Sequence, residues 1–243
     1  MGDRQAMCVV AVALDCHPRW KLVLAGNRDE FHARAADPLR RWADAPHVIA
    51  GRDRQAGGGW LGVSEKGRLA VVTNIRNPDG PDPAKASRGA LVGDWLVSGK
   101  APDLAGLSGF NPFNLLLSGP VGTVLLSNQP EPQRMPLSAG IHGLSNGHPG
   151  EPWPRRSTAE AALAQWVDRD GRVEELLELL RDESLLDDGG VPIFIRAPVY
   201  GTRCSTLVLV DRDGRGTIIE RRFEPDGSDA GETSIDFCWP STA

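Results

Sequence analysis

The sequence predicts an α+β fold in which mainly antiparallel sheets are covered by helices on one or both sides. Short apolar segments typical of strands occur in pairs near both ends of the chain, and each pair is separated by a turn. Paired strands of this kind form hairpins rather than β-α-β units, and helical periodicity is confined to the middle of the chain. The 28 glycines and 19 prolines among 243 residues exceed the usual share and favour many turns.

The first third of the chain is predicted to form two hairpins. Residues 8–14 and 21–26 are apolar and rich in β-formers, and the segment between them contains Asp and Pro. Residues 60–64 and 68–75 flank a short loop that ends in Gly67, a residue that readily adopts a left-handed conformation. The preceding glycines at 57–59 either let backbone approach a ligand closely or form a flexible connection.

The middle of the chain is predicted to contain helices on either side of a third hairpin. Apolar residues at helical spacing predict a helix over 87–97, and residues 113–117 and 121–127 predict the hairpin. A second helical region is predicted to start at a capping box formed by Ser157 and Glu160. It continues through leucines at helical spacing over 173–180.

The end of the chain returns to strands. Residues 204–211, 217–224 and 233–239 are predicted strands, and Asp213-Gly214 makes a turn between the first two. With neither an internal repeat nor a linker evident, we expect a single domain over residues 1–243, in which residues 1–7 are a non-native or cleaved extension.

Composition excludes several classes of protein. Hydrophobic residues make up 40% and charged residues 24%, which is ordinary for a globular chain and too apolar for a disordered one. The net charge of −5 argues against nucleic acid as a partner. No apolar run approaches the roughly 18 residues of a membrane-spanning helix, so we expect no stable membrane insertion.

The cysteines and histidines favour a reduced, cytoplasmic protein without a metal site. Four cysteines occur without C-x-x-C spacing, and five histidines occur without an H-E-x-x-H pair. The P-loop, the dinucleotide-binding glycine motif and the G-x-S-x-G elbow are also absent from the sequence. Neither nucleotide binding nor serine hydrolase chemistry is therefore predicted, and the sequence sets no oligomeric state.

The most distinctive segment is Asn27-Arg28-Asp29-Glu30, which follows directly after a predicted strand. By pattern alone, three charged residues and an amide at this point form an ordinary solvated turn. In context, the sequence resembles the NRDE family, also called the transport and Golgi organisation 2 family. The matching segments occur in order along nearly the whole chain: Met7-Cys8, Asn27 to Glu30, Gly58 to Gly62 with Trp60, Thr73 to Arg76 with Asn74, Leu144 to Gly147 with Asn146, and Tyr200 to Arg203.

This resemblance implies a four-layer αββα sandwich of the N-terminal-nucleophile (Ntn) hydrolase type, which agrees with the hairpin-rich pattern. Some segments also resemble the cysteine-nucleophile branch that contains bile-salt hydrolase and penicillin V acylase. The resemblance implies that Cys8 is the nucleophile and that Asn74 and Asn128 supply the oxyanion hole. It also implies catalytic roles for Arg28, Asp29 and Arg203. Four further motif residues are expected to bind the ligand: Asn27, Glu30, Trp60 and Asn146.

Such residues suit hydrolysis of an amide C–N bond through a thioester, with no cofactor required. An N-terminal cysteine carries its own base, because an α-amine of pKa about 8 can accept the thiol proton. Arg28 would favour the thiolate, and Asp29 could orient the amine. A simpler alternative holds for each residue type, since an Asn beside a hairpin often satisfies loop backbone and a buried Cys often only fills space.

The sequence departs from this pattern at its start, because Cys8 is preceded by seven residues. While they are attached, the nitrogen of Cys8 is an amide and cannot act as a base. Either Met7 is the true start and is trimmed, or residues 1–7 are a short propeptide, or Cys8 is not catalytic; we favour the first explanation.

Three functional hypotheses follow. The first is a cysteine-dependent hydrolase of a small, non-peptide amide. The second is a haem-binding or haem-trafficking carrier without turnover, which the family resemblance implies and for which no motif selects an iron ligand. The third is a scaffold or lipid-handling protein that keeps the fold and has lost both activities. The expected partner is thus a small-molecule substrate or haem.

Overall fold

The computed structural model describes residues 8–186 and 190–240, and residues 1–7, 187–189 and 241–243 lie outside the described ranges. The predicted N-terminal extension is therefore not described. Within the described ranges the chain forms two antiparallel sheets, each of which has helices on its outer side. This is the expected four-layer αββα sandwich.

The first sheet has six strands in the spatial order β10-β1-β2-β11-β12-β13. All of its neighbouring strands are antiparallel, and the long central pair of β2 and β11 joins the two ends of the sequence. Its strands are β1 (Val9–Leu14), β2 (Trp20–Phe31), β10 (Gly140–Leu144), β11 (Tyr200–Asp211), β12 (Arg215–Phe223) and β13 (Asp229–Cys238).

The second sheet has seven strands in sequence order, each antiparallel to the next. Its outer face is covered by α1, whereas α2 and α3 cover the first sheet. The strands are β3 (Ala36–Arg41), β4 (Val48–Asp53), β5 (Leu61–Ser64), β6 (Arg68–Asn74), β7 (Phe113–Gly119), β8 (Gly122–Ser127) and β9 (Gln133–Leu137). The helices are α1 (Arg88–Ser98), α2 (Pro154–Asp168) and α3 (Val173–Leu180), with a short 3-10 helix at Ala105–Gly109.

The three predicted hairpins are confirmed, and so are the helices α1 and α3. Alternation along the strands explains why the two sheets pack face to face. In β1, Val10 and Val12 point into the core between the sheets, where they join residues of the second sheet such as Ile49 and Leu61. Val9, with the opposite parity, packs against the helical layer.

The predicted capping box is wrong. Helix α2 begins at Pro154, with Trp153 as its N-cap residue, so Ser157 lies inside the first turn. Its hydroxyl donates to the Trp153 carbonyl at 3.4 Å rather than to a free N–H group. Proline at the first helical position has its backbone angle already set for a helix and lacks an N–H that would need a partner. It therefore starts the helix one turn earlier than the Ser157–Glu160 pattern predicts.

The four-residue segment Asn27 to Glu30 is not a solvated turn. It lies inside β2, where Asn27, Arg28 and Asp29 are buried. The strand continues through this polar segment because β11, which begins at Tyr200, pairs with β2 along this whole stretch. Four strands were not predicted, namely β3, β4, β9 and β10, and each has polar, Gly or Pro residues that obscure its pattern.

No helix among the described residues combines the length and the apolar composition needed to cross a membrane.

Candidate active site

A cavity of about 750 Å³ opens at one end of the two sheets, between their inner faces and the start of α1. Seven of the ten predicted site residues line it. They come from the first sheet, from the second sheet and from the glycine-rich segment before β5: Cys8, Arg28, Asp29, Glu30, Trp60, Asn74 and Arg203. The fold thus brings to one cavity residues that are up to 195 positions apart in sequence.

Cys8 lies immediately before β1 and is 9% exposed. It has the same strand parity as Val10, so its side chain faces the space between the sheets. Its Sγ is 3.9 Å from the carbonyl oxygen of Asp29, and its own carbonyl accepts a hydrogen bond from Ser145 Oγ at 3.2 Å. These contacts fix the thiol at the cavity wall.

The surroundings of Cys8 favour the neutral thiol. Burial raises its pKa from an ordinary 9.0 to about 11, and the negative charge of Asp29 acts in the same direction. Arg28 opposes the shift by favouring the thiolate. With residues 1–7 attached, the thiol is therefore protonated at neutral pH, and a proton acceptor is needed before it can act as a nucleophile.

Asp29 has partners at both its carboxylate and its backbone carbonyl. Its carboxylate accepts a hydrogen bond from Thr202 Oγ1 at 2.6 Å and lies 2.6 Å from a guanidinium nitrogen of Arg155. The Asp29 carbonyl accepts from the hydroxyl of Tyr200 at 3.0 Å. Because Arg155 and Asp29 are both buried, this ion pair fixes α2 to the strand that positions Cys8.

Arg28 lies on the cavity face of β2 and has two acidic neighbours. Its guanidinium is 3.6 Å from Glu30 and 3.9 Å from Asp53. Arg34 contacts the same two carboxylates, at 3.7 and 2.5 Å. Burial disfavours the charge of Asp53, but the hydrogen bond from Arg34 and two backbone N–H groups outweigh it and lower the pKa of Asp53. The positive charge of Arg28 is thus largely neutralised within the protein.

The two predicted oxyanion-hole asparagines have different positions. Asn74 ends β6 at the cavity, and its side-chain amide has no hydrogen-bond partner among residues 8–186 and 190–240. Asn128 is not among the residues found to line the cavity in the described part of the chain. Its amide nitrogen donates to the carbonyls of Leu107 and Phe110, each at 3.1 Å. The structure therefore brings Asn74, but not Asn128, to the cavity that Cys8 lines.

Two further predicted residues lie behind the cavity. Asn27 faces the helical layer, where its amide donates to the carbonyls of Leu180 and Ile193. Asn146 donates to the carbonyl of Asn74 at 2.9 Å, which makes it a support for that residue. Arg203 does line the cavity, and its guanidinium donates to three backbone carbonyls, those of Phe31, His32 and Arg34.

Sequence reasoning missed several residues of the site. Arg155 gives no local signal, because it is one of many arginines and its partner is 126 positions away. Asp53 and Arg34 were not identified as site residues because the strands and loops in which they lie were not predicted. Tyr200 had a signal, since it is the one tyrosine of the chain and opens the Tyr-Gly-Thr-Arg segment.

The possible haem iron ligands in this cavity are two thiols and the phenol of Tyr200, whose hydroxyl donates to the Asp29 carbonyl. Cys8 and Cys204 line it, whereas none of the histidines among the described residues does. Burial raises the pKa of Cys204 as well, and the charge of Glu220 acts in the same direction. Burial raises the pKa of Tyr200 too. Because iron binds the deprotonated forms of these groups, burial disfavours all three as axial ligands.

Comparison with proteins of known structure supports the fold. The chain resembles an N-acylethanolamine-hydrolyzing acid amidase ortholog from Caenorhabditis elegans, with a TM-score of 0.51 and 13% identity over 83% of this chain and 92% of that one. It also resembles a mutant of conjugated bile acid hydrolase from Clostridium perfringens, with a TM-score of 0.51 and 11% identity over 94% and 92% of the two chains. The fold is thus Ntn-hydrolase-like.

Comparison with known sequences gives the family. The chain is 34% identical to the Transport and Golgi organization protein 2 homolog of Bos taurus and 31% identical to that of Homo sapiens, over 88% of this chain and 92% of each relative. The profile of the family described as Transport and Golgi organisation 2 matches residues 7–225. The chain therefore belongs to the Transport and Golgi organisation 2 family.

Proposed function

We propose that this protein is a cysteine amidohydrolase that cleaves the C–N bond of a small, non-peptide amide. The observation that carries the proposal is the position of Cys8, whose thiol lies at the wall of a cavity with Arg28 and Asp29 beside it. The Ntn-hydrolase-like fold supports the same reaction class, because Cys8 lies immediately before β1, an internal strand of the first sheet.

The proposed general base is the α-amine of Cys8 itself. The raised pKa of the thiol means that little thiolate forms unaided at neutral pH. An α-amine with a pKa of about 8 is able to accept the thiol proton, provided that Cys8 is the first residue of the chain. The proposal therefore requires a chain that begins at Cys8, either because translation starts at Met7 and that methionine is trimmed or because residues 1–7 are removed.

The proposed reaction has two steps. In the first, Cys8 Sγ attacks the amide carbonyl, the C–N bond breaks, and the leaving amine takes the proton that the thiol had given to the α-amine. In the second, water attacks the resulting thioester, which releases the carboxylic acid and restores the thiol. The side-chain amide of Asn74 is the proposed donor to the oxyanion of each step, a contribution of about 3 kcal/mol for one donor.

The test combines processing with turnover. We expect the protein purified from its native source to have an intact mass that begins at Cys8, and we expect that form to hydrolyse members of a panel of small amides. Cys8→Ala should abolish turnover and keep the circular dichroism spectrum, while Asn74→Ala should lower kcat by about a hundredfold. Equal turnover by Cys8→Ala and the parent protein would exclude Cys8 as the nucleophile.

Haem binding stays a prediction for this protein. Its test is a titration in which a shifted Soret band at micromolar protein would support a haem site. A spectrum equal to that of free haem would count against one.

A further inference from the structure

Most cationic side chains around the cavity are already neutralised by the protein. Arg28 and Arg34 share Glu30 and Asp53. Arg52 forms a bidentate ion pair with Asp44, with N–O distances of 2.8 and 2.9 Å. Because their charges are balanced by these carboxylates, these arginines attract an anionic ligand only weakly.

Three cations of the cavity have no carboxylate partner among residues 8–186 and 190–240, namely Lys85, Arg88 and Arg203. Lys85 is exposed, and the guanidinium of Arg203 donates to three backbone carbonyls. Arg88 differs from both. It lines the same cavity, and its guanidinium donates to the backbone carbonyl of Pro112 at 3.1 Å. In the described part of the chain no carboxylate lies within ion-pair distance of it. Burial lowers the pKa of Arg88, whereas the charges of Cys8 and Glu30 act in the opposite direction. Among the described residues, Arg88 is thus a partly buried cation without a counterion, on the wall of the cavity that Cys8 also lines.

Close backbone packing fixes the position of Arg88. It is the first residue of α1, and the next residue, Gly89, packs directly on Gly58. A Cβ atom added to Gly58 would lie 2.3 Å from the carbonyl carbon of Gly89, so the approach depends on glycine. The N–H of Gly59 also donates to the Gly89 carbonyl, at 3.3 Å. The start of α1 is therefore held against the cavity by rigid backbone.

The other walls near Cys8 include apolar side chains. Trp60 lines the cavity from the segment before β5, and Val72 and Ile75 line it from β6 and the segment after it. Phe31, which is 42% exposed, also lines the cavity. Phe31 packs edge-on against Tyr200, which also lines the cavity. A ligand that fills this space meets apolar surface as well as the guanidinium of Arg88.

We propose that Arg88 determines substrate specificity by binding an anionic group, and that the substrate is an amide with an apolar portion and a carboxylate or phosphate. That this ligand is a substrate rests on the proposed function. A partly buried guanidinium without a counterion gains more from a charged oxygen ligand than from a neutral one, because a charge-assisted hydrogen bond is stronger in a partly dehydrated site.

The experiment measures binding without turnover. Isothermal titration calorimetry of the full-length Cys8→Ala protein compares three probes that share one acyl chain: N-octanoylglycine, the neutral N-octanoylglycinamide and N-octanoyl-O-phosphoethanolamine. We expect one or both anionic probes to bind about tenfold or more tightly than the neutral probe. The stronger of the two anionic probes identifies the carboxylate or the phosphate as the preferred group.

Two variants at position 88 and one matched control assign the effect. Arg88→Met should abolish the tighter binding of the anionic probes and leave the affinity for the neutral probe unchanged. Arg88→Lys should keep part of the preference for the anionic probes. Arg52→Met should keep the full preference, because Arg52 is already paired with Asp44. Equal binding of charged and neutral probes, equal loss of both in Arg88→Met, or no binding of either anion at millimolar concentration would overturn the proposal.

The result is separable from the proposed function. A preference for charge that depends on Arg88, without hydrolysis of any probe by the form that begins at Cys8, would preserve the anion site and contradict the hydrolase. Hydrolysis of the glycinamide and the acid with equal kcat/KM, without a preference in binding, would preserve the hydrolase and contradict the anion site.

Discussion

The residues of the Asn27 to Glu30 segment have different roles, because successive side chains of a strand point to opposite faces of the sheet. Arg28 and Glu30 face the cavity, while the side chain of Asn27 binds carbonyls of the helical layer. Asp29 connects the two regions, because its carboxylate meets Arg155 and Thr202 while its carbonyl contacts the thiol of Cys8. One short polar segment therefore supports the helix layer and positions the candidate nucleophile.

The raised pKa of Cys8 gives a prediction about reactivity. With residues 1–7 attached, alkylation of Cys8 by iodoacetamide should keep accelerating from pH 9 towards pH 11, because only the thiolate reacts and its pKa is about 11. Peptide mass spectrometry after timed quenching measures the rate at this one cysteine. The same measurement in denaturant should give a midpoint near the ordinary 9.0.

The raised pKa of Cys8 also determines how the stability of the folded protein changes with pH. A thiol whose pKa rises on folding stabilises the folded state below pH 9, and this contribution is lost as the pH rises from 9.0 to about 11. Cys8→Ser should remove that part of the alkaline loss of stability. An alkylation midpoint near 7 in the folded, unprocessed protein would contradict this view of the site.

At the scale of elements, the helix α1 and the glycine-rich segment before β5 act together. The periodicity of residues 87–97 predicts the helix, but nothing local predicts that its first turn packs on Gly58. The three consecutive glycines are thus not merely a flexible connection. At Gly58 the absence of a side chain lets two backbones touch, and this contact carries Arg88 and Trp60 into the cavity wall.

Substitution of these glycines tests that interpretation. Gly58→Ala should destabilise the fold by about 1–3 kcal/mol, because its Cβ would overlap backbone atoms of Gly89 that cannot rotate away. Gly109→Ala is the matched control, since a Cβ atom there has no neighbour within 4 Å and its backbone angle is not left-handed. Urea unfolding measures both. Equal midpoints for the two variants would show that the close approach is unimportant.

At the scale of the whole molecule, one core joins the two sheets. Val10 and Leu24 of the first sheet and Ile49, Leu61 and Leu116 of the second belong to a single buried cluster. Residues from both ends of the sequence contribute to it, because β11 pairs with β2. Neither sheet can keep its inner face buried without the other.

This shared core predicts cooperative unfolding, as expected for the single domain that the sequence predicts. Urea transitions followed by tryptophan fluorescence and by far-ultraviolet circular dichroism should coincide. Leu24→Ala, at a position with 0% exposure, should move both transitions together and cost about 2–5 kcal/mol. Two separate transitions, or a shift seen by one probe alone, would indicate that the sheets unfold independently.

The sequence by itself determined the hairpins, the helices α1 and α3, the family resemblance and seven residues that meet at the cavity. These features depend on local periodicity, on turn residues and on short motifs, all of which can be recognised in the sequence. The strands β3 and β4 could not be predicted from the sequence. Their own residues are partly polar, and these strands are stabilised by pairing with neighbouring strands.

Only the tertiary structure decided which polar residues act together. Asn74 and Asn128 have similar settings beside hairpins, yet one lies at the cavity and the other fixes the backbone around Phe110. Arg155 reaches Asp29, and Arg88 lacks a carboxylate partner in the described chain, because of how α2 and α1 pack on opposite sheets. The physical reason is that burial and charge pairing depend on neighbours distant in sequence, which no local pattern specifies.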